Sequence, residues 1–352
     1  MRRAGCGRSH DFVHSEMAQL RQAGVFIWGD KLMRILVLGA AGFIGRRVVA
    51  ALAAEPWAEP IAAIHRRTVQ SPGELKTIRV DSTSPGSLTA AISDTDAVVN
   101  CVTGDGGTIA TGARVLFECA RSRSPPPMIV HLSTMSVYGS ATGLVDETAP
   151  LREDIGWYGL AKIQAERQAR DYAACGASVV ILRPGCVYGP GSYLWTQRIA
   201  ALLRQGRLGD LGAAGDGHCN LVYIDDVVQA AVRSLRTQAA WGQTFNLADP
   251  QAQTWNWYFS CFARALGAVP VARISARRVR FEGRVLAPPL KLAQIMCAKL
   301  GLRSSSFPPE LMPASLIRLF GQDIVLECSQ AERILAIRWT PIADGLRRSA
   351  ER

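Results

Sequence analysis

Acidic residues and lysine are both scarce in this chain of 352 residues: 29 Asp and Glu face 40 Lys and Arg, for a formal net charge of +11. Five of the cations are lysines, at 31, 76, 162, 291 and 299, which leaves 35 arginines. The guanidinium fork binds phosphate and carboxylate well, so anionic, phosphate-bearing small molecules suit this charge. The arginines are scattered and form no basic block interleaved with aromatics, which argues against nucleic acid as a partner. There is no Cys-x-x-Cys pair, and the nine cysteines, at 6, 101, 119, 175, 186, 219, 261, 297 and 328, make no tight cluster with histidine. That argues against a disulfide framework and against a metal site, and it fits a reducing cytoplasm. Long hydrophobic runs are missing as well. The apolar stretches are strand-sized and fall short of the roughly 18 residues that a membrane span needs, so no transmembrane segment is expected. Residues 1–32 lack the continuous apolar segment of a secretory signal and read as a weakly ordered N-terminal extension ahead of Met33.

What is present is alternation. From Met33, short apolar runs at 34–39, 60–65, 76–81, 96–101, 128–133 and 178–183 alternate with helical patterns that include 43–54, 111–121 and 157–174. Strands separated by helices predict an α/β fold, a Rossmann-like doubly wound parallel sheet covered on both faces. After Arg183 the chain turns rich in glycine and proline, "LVYIDDVVQAAVRSL" restores a strand and a helix, and "GQTFNLAD" reads as a further strand. From about residue 250 the pattern is helices and loops. The organisation expected is a nucleotide-binding domain of residues 33–185 plus about 220–248, with a smaller, discontinuous substrate domain of about 186–219 plus 249–346.

The stretch "GAAGFIG", residues Gly39, Gly42, Phe43, Ile44 and Gly45 among them, joins the first strand to the first helix. Glycines there permit a tight turn and let backbone approach a pyrophosphate, whose charge the helix N-terminus favours. The spacing is G-x-x-G-x-x-G, and glycines also mark any tight strand-to-helix turn. The second strand ends in His65, Arg66 and Arg67. An acidic residue at this place suits the ribose hydroxyls of NAD, whereas arginine suits the extra phosphate of NADP, so NADP(H) is favoured over NAD(H). Asp81 closes the third strand, where it could accept a bond from adenine or cap the next helix.

Thr134 follows the fifth strand, at the sheet end where open α/β folds hold ligands. Tyr158 opens a helix 24 residues later, with Lys162 one turn on, and residues at that spacing share a face. The pair is either two surface residues or a phenol and the cation that tunes it. With 7 Tyr and 5 Lys in 352 positions, chance alone supplies about 0.1 such pairs. A threonine hydroxyl can hold a substrate oxygen while the tyrosine exchanges a proton with it, and a nearby ammonium favours the phenolate.

Together "GAAGFIG", "HLSTMSVYG", "YGLAK" followed by "AE", "LRPGCVYGPG" and "LVYIDDVVQAA" resemble the extended short-chain dehydrogenase/reductase superfamily, especially its NAD(P)-dependent sugar epimerase/dehydratase branch, over about residues 33–248. The resemblance implies that Thr134, Tyr158 and Lys162 are catalytic, with Lys162 also holding the nicotinamide ribose. It further implies that Pro184 and Gly185 lie beside the nicotinamide and that the loop from Asn100 through Val102 to Gly104 lines the cofactor. Ser133, next to Thr134, is the weaker catalytic candidate. Dehydratases of this type carry an Asp-Glu pair directly after the threonine, but here Met135 and Ser136 stand there. Elimination thereby loses its proton carriers, and reversible hydride transfer at an alcohol or ketone carbon remains. A nucleotide-linked sugar is the substrate the resemblance favours. The alternatives are a ketoreductase, similar to hydroxysteroid dehydrogenases, acting on a hydrophobic substrate, and a non-catalytic NADP-binding regulator.

Other conspicuous residues read as structural. One of Asp225 and Asp226 is expected to cap the helix that follows them, His218 to be a solvated loop residue, and Trp255, Trp257, Tyr258 and Phe259 to pack in a core. The apolar, basic stretch "VLAPPLKLAQIMCAKLGLR" could lie on a membrane surface or cover a lipidic substrate. A helix packed in the substrate domain, or against a second subunit of a homodimer, is the favoured reading.

Overall fold

The computed structural model describes residues 31–65, 75–154, 156–299 and 312–351. Its strands are β1 (Met33–Leu38), β2 (Ala58–Ile64), β3 (Thr77–Arg79), β4 (Ala97–Asn100), β5 (Met128–Leu132), β6 (Gly143–Val145), β7 (Val179–Pro184), β8 (Cys186–Tyr188), β9 (Leu221–Tyr223), β10 (Thr244–Leu247) and β11 (Ile324–Leu326). Seven of them form one sheet in the order β10-β7-β5-β4-β1-β2-β3, and every pairing in it is parallel. The six strand-sized runs expected from the sequence all fall in this sheet.

The inner strands are largely apolar because both faces are covered, while the edge strand β3 is mostly exposed. Along β1, Met33, Ile35 and Val37 enter the core on one side of the sheet, and Leu36 and Leu38 enter the core on the other. The strand order reverses between β1 and β4, whose ends align at Leu38 and Asn100. Such a reversal opens a crevice at the carboxyl ends of the strands.

Two boundaries differ from expectation for local reasons. The helix expected from residue 111 begins at Gly106, because the Asp105 carboxylate caps it, accepting from Thr108 N at 2.9 Å and Thr108 Oγ1 at 3.1 Å. A cap of this kind offsets the poor helix propensity of the two glycines. In the later half, read as helices and loops, β11 pairs with β6. The two are joined to the rest by Asn220, whose Nδ2 donates to Ile324 O at 2.8 Å and whose Oδ1 accepts from Leu326 N at 2.9 Å.

Trp255, Tyr258 and Phe259 are fully buried and pack edge-on or tilted against one another and against Phe320, as core residues should. The aspartates of "YIDD" do not cap the Ile224–Arg236 helix, which has no side-chain cap. Asp226 instead accepts from Thr340 N at 2.9 Å and Thr340 Oγ1 at 2.7 Å, latching the C-terminal segment to that helix. His218 is half-buried and bound, its Nδ1 2.6 Å from Ala252 O. Within "VLAPPLKLAQIMCAKLGLR" the helix Ala287–Lys299 leaves Leu292 and Met296 exposed. Among the described residues no helix is long and apolar enough to cross a membrane.

Candidate functional site

The glycine loop leaves β1 at the crevice. Gly39 has φ +75°, and a Cβ there would lie 2.8 Å from Cys101 O, so the loop can pass over the end of β4 only without a side chain. A Cβ on Gly45 would run into Gly39 O. The turn is closed by Gly42 N donating to Gly39 O at 2.9 Å. No side chain caps the Gly45–Ala53 helix that follows, which leaves its N-terminal dipole directed at the crevice. Phe43 and Ile44 are half-buried beside it.

Across the crevice, Asn100 ends β4. Its Oδ1 accepts from Val102 N at 3.1 Å, and its Nδ2 lies 3.1 Å from Nδ1 of buried His131. Burial, with the charge of Lys162 adding to it, pushes the His131 pKa down to about 3, so the ring is a neutral acceptor for Asn100. The loop carrying Val102 is thus set from below by a side-chain pair.

Thr134 and Tyr158 meet beside this loop. Thr134 follows β5 and opens the 3-10 turn Met135–Tyr138, accepting from Ser136 N at 3.2 Å. Tyr158 lies in the first turn of the helix Trp157–Ala174, which spans the residues expected. A Cβ on Gly159 would sit 2.7 Å from Ser136 O, so this glycine lets the helix approach the threonine's turn. Burial holds the Tyr158 phenol above its ordinary pKa, and a hydrogen bond from the Thr134 side chain opposes that rise.

Lys162 is buried, and Nζ donates to Leu132 O at 2.6 Å and Val102 O at 3.5 Å. Its pKa is pushed down to about 8 by burial, while Cys101 and Glu166 pull it back up. The ammonium is turned to these two backbone carbonyls because a buried cation needs acceptors.

The sequence reading passed over the group that supports this trio. Glu166, one turn beyond Lys162, is fully buried and accepts from Ser133 Oγ at 2.6 Å, Arg183 Nε at 2.9 Å, Arg183 Nη2 at 2.7 Å and Arg170 Nη2 at 2.9 Å. Arg183 Nη1 donates in turn to Tyr138 Oη at 2.7 Å, and Tyr138 donates to Asn246 Oδ1 at 2.6 Å. Ser133 and Tyr138 bracket the segment bearing Thr134, so one buried ion pair grips it at both ends. The signal was in "AE" after "YGLAK" and in the arginine that closes an apolar strand. Ser133 thus supports Thr134 from beneath.

Gly185 follows β7, and a Cβ there would meet Asn220 O, while Pro184 ends the strand. At the adenine end, His65 is exposed after β2, and Arg66 and Arg67 lie outside the described residues. Asp81 accepts from Thr83 N at 2.9 Å and Thr83 Oγ1 at 2.7 Å, and the cap of the next helix is Ser84. Helix capping, one of the two uses expected of Asp81, thus falls to its neighbour.

A family model described as "NAD dependent epimerase/dehydratase family" matches residues 35–248. Among curated proteins, a 3-diazoavenalumate denitrifying reductase of a Streptomyces species is 28% identical over 264 residues, covering 69% of this chain and 85% of that protein. A dTDP-4-dehydro-6-deoxy-D-allose reductase, also of a Streptomyces species, is 27% identical over 237 residues, covering 58% and 72%. Among solved structures, a UDP-glucuronic acid 4-epimerase from Bacillus cereus in complex with UDP-glucuronic acid and NAD superposes with a TM-score of 0.69 at 21% identity, covering 91% of this chain and 98% of that one.

Proposed function

Because this chain belongs to the NAD dependent epimerase/dehydratase family, we propose that it is a reductase of a nucleotide-linked keto sugar, with Tyr158 as proton donor, Thr134 as the group that orients the substrate oxygen and Lys162 as a cofactor ligand. The observation that carries this reading is the close approach of the Tyr158 helix to the Thr134 turn, at Gly159 against Ser136 O, with burial holding the phenol above its ordinary pKa. A phenol in that state gives a proton to an oxygen that gains negative charge.

The residues fit a nicotinamide dinucleotide. Gly39 and Gly45 leave a cradle that a Cβ would fill, in front of a helix N-terminus without a side-chain cap. Gly39, Gly42, Phe43, Ile44 and Gly45 would hold the pyrophosphate, Asn100 and Val102 the middle of the crevice, and Pro184 and Gly185 the nicotinamide side. When bound, the dinucleotide supplies or accepts the hydride. Of the three N–H groups of Lys162, two are used by backbone carbonyls, which leaves the third for a ribose hydroxyl. Thr134 Oγ1 donates to the substrate oxygen, and Tyr158 delivers its proton to the same atom. Neither Met135 nor Ser136 can act as a carboxyl acid or base, so water is not eliminated.

The cofactor half in this reading is 33–185 plus about 220–248, and substrate lies against 186–219 and 249–346. His65, Arg66 and Arg67 make NADP(H) the favoured cofactor, and Asp81 remains its adenine-side contact. The named activity of the allose reductase supports a sugar nucleotide as the substrate class. Eight free cysteines among the described residues support a reducing, cytoplasmic setting.

The test uses the full chain with NADPH or NADH and a nucleotide-linked 4-keto sugar. Tyr158→Phe is expected to lower kcat by about 10²–10⁴ while NADPH affinity stays within about threefold, and the wild type binds NADPH more tightly than NADH. A Phe variant that turns over normally rejects the mechanism, and tighter NADH binding rejects the cofactor assignment.

A further inference from the structure

A cavity of about 340 Å³ lies just beyond the glycine loop, and none of Gly39, Gly42, Thr134, Tyr158 or Lys162 lines it. Its walls carry three cations, Arg46, Arg47 and Arg204, and no acidic residue. Arg46 and Arg47 stand in the first turn of the Gly45–Ala53 helix, and Arg204 ends the helix Arg198–Arg204. The cavity therefore joins the helix after the glycine loop to the segment that follows β8.

The arginines are arranged, not merely near one another. Arg47 is pinned as a wall: it donates to Phe43 O at 3.2 Å and to Pro190 O, and its guanidinium lies 4.7 Å from the Phe43 ring centroid. Gly191, at φ +83°, makes room for Arg46, whose Nη2 would be 2.6 Å from a Cβ at that position. The guanidinium groups of Arg46 and Arg204 make no hydrogen bond or ion pair with other described residues. Arg46 and Arg204 reach solvent, and with no acidic residue lining the cavity an anion between them would supply the opposite charge. Guanidinium forks match phosphate oxygens two at a time. Gln197 adds a polar group to the lining, and Ser349, whose hydroxyl donates to Gly345 O at 2.6 Å, lies beside it in the wall.

We infer that this cavity is a second anion site, separate from the hydride-transfer centre, for a ligand bearing two linked phosphates. The ligand is either a free diphosphate compound or the diphosphate of a nucleotide. The inference reads binding alone and does not depend on the reaction proposed above.

The experiment is isothermal titration of the full chain, saturated with NADPH, with inorganic pyrophosphate at constant ionic strength set by sodium chloride. One saturable site is expected, weakened at least about tenfold in Arg204→Ala and lost in Arg46→Ala/Arg204→Ala, with NADPH fluorescence titration unchanged as the check on folding. Arg204→Lys, which keeps the charge but loses the fork, should fall between wild type and Arg204→Ala. Repeating the titration with UDP present separates the sources. Loss of pyrophosphate binding assigns the site to a nucleotide's diphosphate, and unchanged binding assigns it to a free phosphate compound. Absence of saturable binding, equal affinity in the double variant, or displacement of NADPH by pyrophosphate would each overturn the inference.

Discussion

Lys162 is held by opposing forces. Burial pushes its pKa down to about 8, and Cys101 and Glu166 offset part of that; His131, buried behind it, is neutral and leaves the ammonium unopposed, and Arg183 is tied up on Glu166. Its folded pKa is depressed, so the ammonium persists below about 8 and is lost as pH rises through that value. Loss of the proton removes a donor from Leu132 O, Val102 O and the ribose the lysine is proposed to hold. Tyr158, raised by burial, stays a phenol over the same range and is not the first group to titrate. In the reductive direction kcat/KM should be flat from pH 6 to 7 and fall about tenfold per pH unit above about 8. In Lys162→Arg, whose charge persists at any accessible pH, whatever rate remains should lose that basic limb; a limb that stays in place assigns it to another group. The trio was legible at this scale because Tyr-x-x-x-Lys is a sparse pattern in a chain with five lysines. The role of Glu166 was not, since nothing in a single sequence tells a solvated glutamate on a helix from one buried under Arg183. Nor did the spacing reveal that Lys162 turns to backbone carbonyls, because their positions depend on β5 and the loop after β4.

Elements place these residues through a few close approaches. The Trp157–Ala174 helix comes to the Thr134 turn at Gly159, where a Cβ would be 2.7 Å from Ser136 O. A backbone oxygen cannot swing away as a side chain can, so Gly159→Ala must shift the helix or the turn by some tenths of an ångström. The shift falls between Tyr158 and Thr134, the two groups proposed to act on one substrate oxygen. A misplacement of this order costs up to about 10²-fold in rate. Gly159→Ala should therefore lower kcat by about 10–10²-fold with NADPH affinity changed far less, because of the proposed cofactor contacts only Lys162 lies on this helix; stopped-flow reduction and fluorescence titration measure the two. Retained kcat would mean that the turn yields without cost. Strands and helices of the parallel sheet were legible because each is a contiguous apolar run bounded by turn residues. The β6–β11 pair was not: Gly143–Val145 and Ile324–Leu326 are three residues each, too short for a period of two to register. Their partnership also spans about half the chain, and it is tied to the rest by Asn220, a side chain acting as a strand edge. The capping aspartate expected in "YIDD" failed for a related reason. Asp226 had a partner, Thr340, far away in sequence, and a local reading weighs only local partners.

At the scale of the whole molecule, stability should fall on mild acidification through one histidine. His131 is buried between Phe117 and Asn100, close to the charge of Lys162. Burial first, and that charge second, hold its pKa near 3 against an ordinary value of 6.5. Because the folded value is depressed, the native protein keeps a neutral ring from neutral pH down to about 3, while the unfolded chain takes up a proton below about 6.5. The unfolded state binds more protons across that window, so stability rises with pH within it and is lost as pH falls. The slope approaches about 1.4 kcal/mol per pH unit, or about 2 kcal/mol lost between neutral pH and pH 5. Three carboxyls, Glu147, Asp226 and Asp249, work against it: burial raises their pKa values, so the native state takes up their protons first and gains stability as pH falls. A wild-type urea titration alone would mix these signs. Their contribution is common to wild type and His131→Gln, so the difference between the two proteins isolates the histidine. The gap in unfolding free energy between wild type and variant should narrow by about 2 kcal/mol from pH 7.5 to pH 5, whatever its size at pH 7.5. A gap that stays constant across that range would mean that His131 takes up its proton at the same pH in the folded protein as in the unfolded chain. Its bond with Asn100 would then have to be remade with a different acceptor, and the support beneath the Val102 loop with it.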